Sequence, residues 1–109
     1  LYERVLETVS KWGNPDQLMF VVGATRAEKV QEIRNIIPEH FLLVPGVGAQ
    51  GGSLEDISYA AGTKEIGLLV NSSRGIIYAG NGEDFADKAK SSASVLQLKM
   101  SSLMNELGV

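Results

Sequence analysis

The chain has 109 residues, 44% of them hydrophobic, which is enough for one small domain with a packed core. Its formal net charge of −3 argues against a surface that binds nucleic acid or an anionic membrane. It contains no cysteine, which excludes disulfides and a thiol nucleophile and fits a cytoplasmic location, and no apolar run is long enough to span a membrane.

The first residue is Leu1 rather than methionine, so we expect a piece of a longer protein or a processed product. Residues 1–12 place apolar side chains at helical spacing, and the Gly-Asn-Pro sequence at 13–15 ends the predicted helix. Residues 18–22 are a continuous apolar run. This run predicts a strand that is buried on both faces, as in a parallel sheet.

A second helix is predicted to begin with a capping box, with Thr25 as the N-cap and Glu28 as its partner, and to end before Pro38. Arg26 would then lie in the first turn, where the helix dipole disfavours a cation. It is either a solvated surface arginine or a residue that faces a ligand. His40 is predicted to be a turn residue, and one histidine without acidic residues at ligand spacing is not a metal site.

The second strand, residues 41–44, leads into a loop with four glycines in seven residues, Gly46, Gly48, Gly51 and Gly52. Glycine costs chain entropy, and the usual reason for so many is a close approach of the backbone to a ligand, with N–H groups that point at an anion. Ser53 is predicted to cap the helix that follows. The stretch is either a phosphate-binding loop or a plain strand–turn–helix connection.

A third strand is predicted at residues 66–70. Ser72 or Ser73 is then expected to cap a short helix over residues 75–78, with Arg74 at the N-terminus of this helix. A long last helix starts near Asp84, and its apolar positions recur every three or four residues, which predicts one core-facing stripe. The stripe consists of Phe85, Ala89, Ala93, Leu96, Met100, Leu103 and Leu107.

The alternation of helices with short apolar strands predicts an α/β fold with parallel strands. Three strands cannot close a barrel, and a (β/α)₈ barrel needs about 250 residues. Residues 1–109 are therefore predicted to be a partial single domain, the last three strands of such a barrel. The phosphate site of these barrels commonly uses the loops after strands seven and eight, which here contain Gln50 and Arg74. Arginine suits a phosphate because its planar fork donates two hydrogen bonds.

The predicted strand ends carry no Asp, Glu, Lys or His. General acid–base chemistry needs such a group at the reacting centre. The segment is therefore predicted to hold a phosphate without transferring a proton, and we assign it no catalytic residue.

Three motifs, in this order and spacing, resemble orotidine 5′-phosphate decarboxylase, most closely its longer-chain bacterial branch. They are Val-Val-Gly-Ala-Thr-Arg at 21–26, Leu-Val-Pro-Gly-Val-Gly-Ala-Gln-Gly-Gly at 43–52 and Leu-Val-Asn-Ser-Ser-Arg-Gly-Ile at 69–76. The resemblance extends from residue 1 to about residue 78. It implies a (β/α)₈ barrel homodimer that converts orotidine 5′-monophosphate to uridine 5′-monophosphate and CO₂ without a cofactor.

By motif match, Gln50 resembles the phosphate-gripping glutamine of the family, and Arg74 with the backbone of Ser73 resembles its phosphate ligand at the last strand. Pro45 resembles the proline that lines the pyrimidine end of the pocket. The catalytic Lys/Asp array of the family lies on earlier strands and has no matching positions here. Two alternatives stay open: another barrel enzyme that acts on a sugar phosphate, such as an epimerase or an isomerase of tryptophan or histidine synthesis, and a non-catalytic phosphate-binding module.

Overall fold

The computed structural model describes residues 1–23, 26–46 and 53–109. Helix α1 (Tyr2–Val9) continues into a 3₁₀ turn (Ser10–Trp12). Three strands follow, each succeeded by a helix: β1 (Met19–Val21), α2 (Ala27–Ile36), β2 (Phe41–Pro45), α3 (Leu54–Ala61), β3 (Leu68–Asn71) and α4 (Arg74–Ile77). Helix α5 (Phe85–Leu107) comes last. No helix within these ranges is long and apolar enough to cross a membrane.

The three strands form one sheet in the order β1-β2-β3, and both neighbouring pairs are parallel. This arrangement confirms the predicted α/β fold with parallel strands and is consistent with part of a barrel. Val21, Leu43 and Leu69 are in register, and Pro45 pairs with Asn71 at the carboxyl end. Because side chains alternate between the two faces of a strand, these five residues share one face of the sheet.

The hydrophobic core lies against the opposite face of the sheet. Leu42 and Val44 of β2 are fully buried there, and α2 and α3 pack against each other, so that both helices cover the same face. The core cluster consists of Leu6, Val22, Val30, Ile33, Ile37, Leu42, Val44, Ile57, Ala61 and Leu68.

The face that carries Val21 and Leu69 is uncovered in the described part of the chain. Val21 is 70% exposed and Leu69 is 49% exposed. The prediction that the first strand is buried on both faces is therefore wrong for these residues, because the helices form a layer on one side only. An apolar groove of about 590 Å³ also opens beside β1, between α1 and α2, and is lined by residues such as Leu6, Phe20 and Ile33.

Arg34 of α2 connects four segments at the amino-terminal end of the sheet. Its side chain is 7% exposed, and all its hydrogen bonds go to backbone carbonyls. Nε donates to Ala61 (2.8 Å), Nη1 to Ile37 (3.0 Å) and His40 (2.6 Å), and Nη2 to Gly67 (3.2 Å). The last carbonyls of a helix have no intrahelical partners, and Arg34 donates hydrogen bonds to such carbonyls at the ends of both α2 and α3. Burial lowers the pKa of Arg34 from its ordinary value.

His40 lies in the bend between α2 and β2, as predicted, but its side chain is only 6% exposed. The ring packs edge-on against Phe20, with ring centroids 5.4 Å apart. Neither ring nitrogen has a hydrogen-bond partner among the described residues. His40 shares the face of Leu42 and Val44, since alternate residues point the same way, and the helical layer covers all three.

The third strand begins two residues later than predicted. Ile66 and Gly67 both have left-handed backbones, with φ of 66° and 67°, which no strand residue adopts. Two backbone hydrogen bonds between Thr63 and Ile66, of 2.9 and 3.0 Å, close a tight turn there. The chain therefore enters β3 at Leu68.

Helix α2 begins at Ala27 rather than immediately after Thr25. Arg26 is its N-cap residue in extended conformation, so the prediction that Arg26 lies in the first helical turn is wrong. Thr25, the predicted cap, lies outside the described residues.

Helix α5 packs on α3 through its carboxyl-terminal half. The hydroxyl of Tyr59 donates a hydrogen bond to Glu106, which raises the pKa of Tyr59, and Leu103 is buried. Gly108 ends the helix with φ of 77°, as expected for a left-handed C-terminal residue. The predicted stripe is wrong at Phe85, which is 59% exposed, because the amino-terminal half packs beside the short α4, which is too small to cover it.

When the 109-residue chain is produced alone, we expect it to be oligomeric or aggregated. The uncovered face of the sheet and the unpaired edges of β1 and β3 offer apolar surface and free backbone groups to other copies. Size-exclusion chromatography with light scattering measures the outcome. A monodisperse monomer with a cooperative thermal transition would contradict the prediction.

In the protein that contains this chain, Arg34→Met should lower the free energy of unfolding by about 3 kcal/mol or more, since buried carbonyls lose their donor. Arg34→Lys should recover only part of the lost stability, because the single ammonium group of lysine cannot reach all four carbonyl acceptors. Arg4→Met, at an exposed position of α1, is the matched control and should change stability by less than about 0.5 kcal/mol. Urea unfolding measures all three variants, and equal losses for Arg34→Met and Arg4→Met would refute the role of Arg34.

Candidate functional site

The carboxyl ends of the three strands lie at one edge of the sheet. Strand β1 ends at Val21, β2 at Pro45 and β3 at Asn71. In parallel α/β folds, ligands bind outside the carboxyl ends of the strands. This edge is therefore the candidate site, and three of the four site residues predicted from the sequence lie at it.

Pro45 is half-buried and is the last residue of β2. Gly46, which follows, has φ of 77°, a conformation that glycine adopts at little cost and that turns the chain out of the strand. Gln50 and the rest of the glycine loop, residues 47–52, lie outside the described residues. The chain is described again at Ser53, whose hydroxyl oxygen accepts from the amide of Asp56 at 3.0 Å. The predicted N-cap of α3 is thereby confirmed.

Ser73 lies at the N-cap position of α4, but its side chain makes no capping hydrogen bond. Its hydroxyl oxygen instead accepts from the side-chain amide of Asn71 at 3.2 Å. The helix begins at Arg74, one residue earlier than predicted, and the amides of Ile76 and Ile77 donate to the Ser73 carbonyl. Ser73 therefore lies at the predicted N-cap position, but the prediction that its side chain caps the helix is wrong, because its backbone is in the αR region (φ −84°, ψ −63°) rather than the extended conformation that capping needs.

Arg74 is the first residue of α4, and its side chain is exposed. Among the residues that the structure describes, its guanidinium makes no hydrogen bond, in contrast to that of Arg34. A guanidinium carries five N–H donors and a permanent positive charge. Arg74 therefore presents unused donors and a charge at the carboxyl edge of the sheet, which suits an anion.

Two residues that contact this turn were missed by the sequence analysis. Asn71 ends β3 on the same face as Leu69 and donates to Ser73, and the hydroxyl of Ser92 in α5 donates to the carbonyl of Gly75 at 2.8 Å. The sequence did contain a signal for Asn71, because a polar carboxamide side chain at the end of an otherwise apolar strand indicates a functional or structural role there. For Ser92, the signal was its position three residues after Ala89, beside the predicted stripe of α5, where it is half-buried.

Proton-transfer groups are missing from the ends of the three strands. The single histidine, His40, is buried at the amino-terminal end of β2, away from this edge. The residues with described positions contain no group of three or more His, Cys, Asp or Glu side chains that could hold a metal ion. Among the residues that the structure describes, this edge offers the cation of Arg74 and an apolar wall.

The fold and the position of the site place the chain in the class of α/β proteins with a parallel sheet. No protein-family model matches it. It is similar to the orotidine 5′-phosphate decarboxylase of Christiangramia forsetii, with 55% identity over 107 residues, which are 98% of this chain and 39% of that protein. The enzyme of the same name from Porphyromonas gingivalis strain ATCC 33277 is 51% identical over 109 residues, which are 100% of this chain and 40% of that protein.

The chain is also similar to the solved structure of Leishmania donovani OMP decarboxylase, with a TM-score of 0.74 and 30% identity, over 95% of this chain and 38% of that one. The resemblance to orotidine 5′-phosphate decarboxylases is therefore confirmed in sequence and in structure. The chain spans about two-fifths of the length of the curated relatives it matches, and it corresponds to their C-terminal part.

Proposed function

We propose that this chain is the C-terminal part of an orotidine 5′-phosphate decarboxylase with a (β/α)₈ barrel. The complete enzyme would convert orotidine 5′-monophosphate to uridine 5′-monophosphate and CO₂, a step of pyrimidine biosynthesis. The observation that carries the proposal is 55% identity to one such enzyme over 98% of the chain. The parallel order of the three strands supports it, since a barrel of this kind needs that arrangement.

In this proposal, the segment binds the phosphate end of the substrate. Arg74 supplies a charged fork, Ser73 supplies backbone N–H, and Gln50 supplies a side-chain amide from the glycine loop. Support for Arg74 comes from its exposure, its unused donors and its position three residues beyond the end of β3. A bidentate arginine–phosphate pair is among the strong hydrogen-bonded contacts.

Pro45 is proposed to line the pyrimidine end of the pocket. It shares a face of the sheet with Leu43, Leu69 and Asn71, and it is the apolar residue of that face nearest to the carboxyl edge. An apolar wall suits a flat pyrimidine ring. Pro45 also pairs with Asn71, two residues before Ser73, so the two ends of the substrate would meet neighbouring strands.

The decarboxylation itself needs groups from outside this segment. The bond between the ring carbon and the carboxylate breaks, CO₂ leaves, and the carbon takes a proton from a general acid. The strand ends of this chain carry no such acid. Binding energy from the distant phosphate can still orient the reacting end, so the segment would contribute to the rate as well as to affinity.

The names of the relatives support a decarboxylase over the sugar-phosphate epimerase or isomerase and over the non-catalytic module. A homodimer and the lack of a cofactor stay predictions from the resemblance, and a cytoplasmic location stays a prediction from the absence of cysteine.

The complete protein should bind uridine 5′-monophosphate far more tightly than uridine. The physical reason is that uridine lacks the dianion for which Arg74 and the glycine loop provide donors. Isothermal titration calorimetry with both ligands, under matched buffer and salt conditions, measures the difference. Equal affinities would mean that these loops hold something other than a phosphate.

In the complete enzyme, Arg74→Ala should lower kcat/KM for orotidine 5′-monophosphate about ten- to a hundredfold. A hydrogen bond to a charged group contributes roughly 1.5–3 kcal/mol, and 1.4 kcal/mol corresponds to a factor of ten. Arg74→Lys should restore only part of this, since lysine lacks the planar fork. Steady-state kinetics on the three proteins gives the comparison.

Orotidine, which has no phosphate, is the control substrate for Arg74. Wild type and Arg74→Ala should decarboxylate it with similar, low efficiency, and Arg4→Ala, at the exposed arginine of α1, should resemble wild type with both substrates. If Arg74→Ala harms both substrates equally, Arg74 is structural and the phosphate assignment fails.

A further inference from the structure

The turn from residue 72 to residue 75 carries Arg74 and must hold its backbone in place. A misplacement of about 1 Å at a binding group can cost about a hundredfold in rate. Helix α4 has only four residues, and Ser73, Arg74 and Gly75 are all exposed. Such a short exposed helix cannot fix its own position by burial, so its position must depend on contacts with the rest of the fold.

The first contact comes from the strand before the turn. Asn71 is held in the sheet by its pairing with Pro45, and its side-chain amide donates to the hydroxyl oxygen of Ser73 at 3.2 Å. Ser73 immediately precedes Arg74 and provides the carbonyl that accepts the first hydrogen bonds of α4. The bond therefore ties the start of the helix to the end of β3.

The second contact comes from α5. The hydroxyl of Ser92 donates to the carbonyl of Gly75 at 2.8 Å, immediately after Arg74 in the chain. Helix α5 is 23 residues long, and its other half is anchored to α3 through Tyr59 and Glu106. The bond therefore ties the C-terminal side of the turn, at Gly75, to α5, which is itself held against α3.

From these two hydrogen bonds we propose that Asn71 and Ser92 are positioning residues, which hold the backbone on either side of Arg74 so that its guanidinium meets the substrate phosphate. The inference rests on the proposed function, because it requires a phosphate at Arg74. Neither residue needs to touch the substrate, since each acts through the turn. A purely structural role would affect every substrate alike, whereas positioning of Arg74 affects only phosphorylated ones.

In the complete enzyme, Ser92→Ala and Asn71→Ala should each lower kcat/KM for orotidine 5′-monophosphate about two- to tenfold, as expected for the loss of one neutral hydrogen bond. Both variants should decarboxylate orotidine like wild type. Ser92→Thr keeps the hydroxyl and should restore most of the loss. Ser91→Ala removes a hydroxyl from the neighbouring exposed position of α5 and should behave as wild type.

A double-mutant cycle with Arg74→Ala gives the sharpest result. If Asn71 and Ser92 act through Arg74, either substitution should cause a smaller loss when added to Arg74→Ala than it causes alone. Ser92→Ala also carries little risk of misfolding, because alanine is the strongest helix former, and thermal unfolding of each variant verifies this.

The inference is overturned if both single variants match wild type, if they lose activity equally on both substrates, or if their effects add fully to that of Arg74→Ala. In each of these cases a phosphate-selective loss in Arg74→Ala alone would leave the proposed function standing. If Arg74→Ala itself shows no phosphate selectivity, the phosphate assignment fails and the positioning role of Asn71 and Ser92 fails with it.

Discussion

The buried guanidinium of Arg34 is the constraint on which the geometry of the sheet depends. A charge removed from water must be hydrogen-bonded, and Arg34 satisfies this with four backbone carbonyls from the ends of α2 and α3 and from just before β2 and β3. The starts of the two strands are thereby fixed relative to each other. Since β2 and β3 are only five and four residues long, fixing their starts also fixes which residues face each other at their far ends, where Pro45 pairs with Asn71.

Stability and the proposed phosphate binding thus belong to opposite ends of the same strands. Arg34 lies at the amino-terminal end, buried and with four of its five N–H donors used, whereas Arg74 lies beyond the carboxyl end and is exposed. In (β/α)₈ barrels the amino-terminal end of the sheet serves stability and the carboxyl end carries the active site. The two arginines differ in role because of their surroundings, although their side chains have the same chemistry.

The strands, the parallel order and the cap at Ser53 could be predicted, because apolar runs and capping residues act locally. Arg34 could have been noticed, since it lies four residues after Val30 on the apolar stripe of α2, but its acceptors belong to segments distant in sequence. The left-handed backbone of Ile66 has no signal in residue type. The pairing of Pro45 with Asn71 depends on register, and a slip of one residue would turn every side chain to the other face.

The uncovered face of the sheet explains how such a segment would complete an enzyme. The row of Val21, Leu43 and Leu69 is apolar and has no second layer in the described ranges, so burying it requires other strands. In the proposed barrel, those strands would bring the missing acid–base groups to the edge that holds Pro45 and Arg74. The apolar surface that makes this segment incomplete on its own would then drive the assembly that joins the phosphate-binding end of the substrate site to its reacting end.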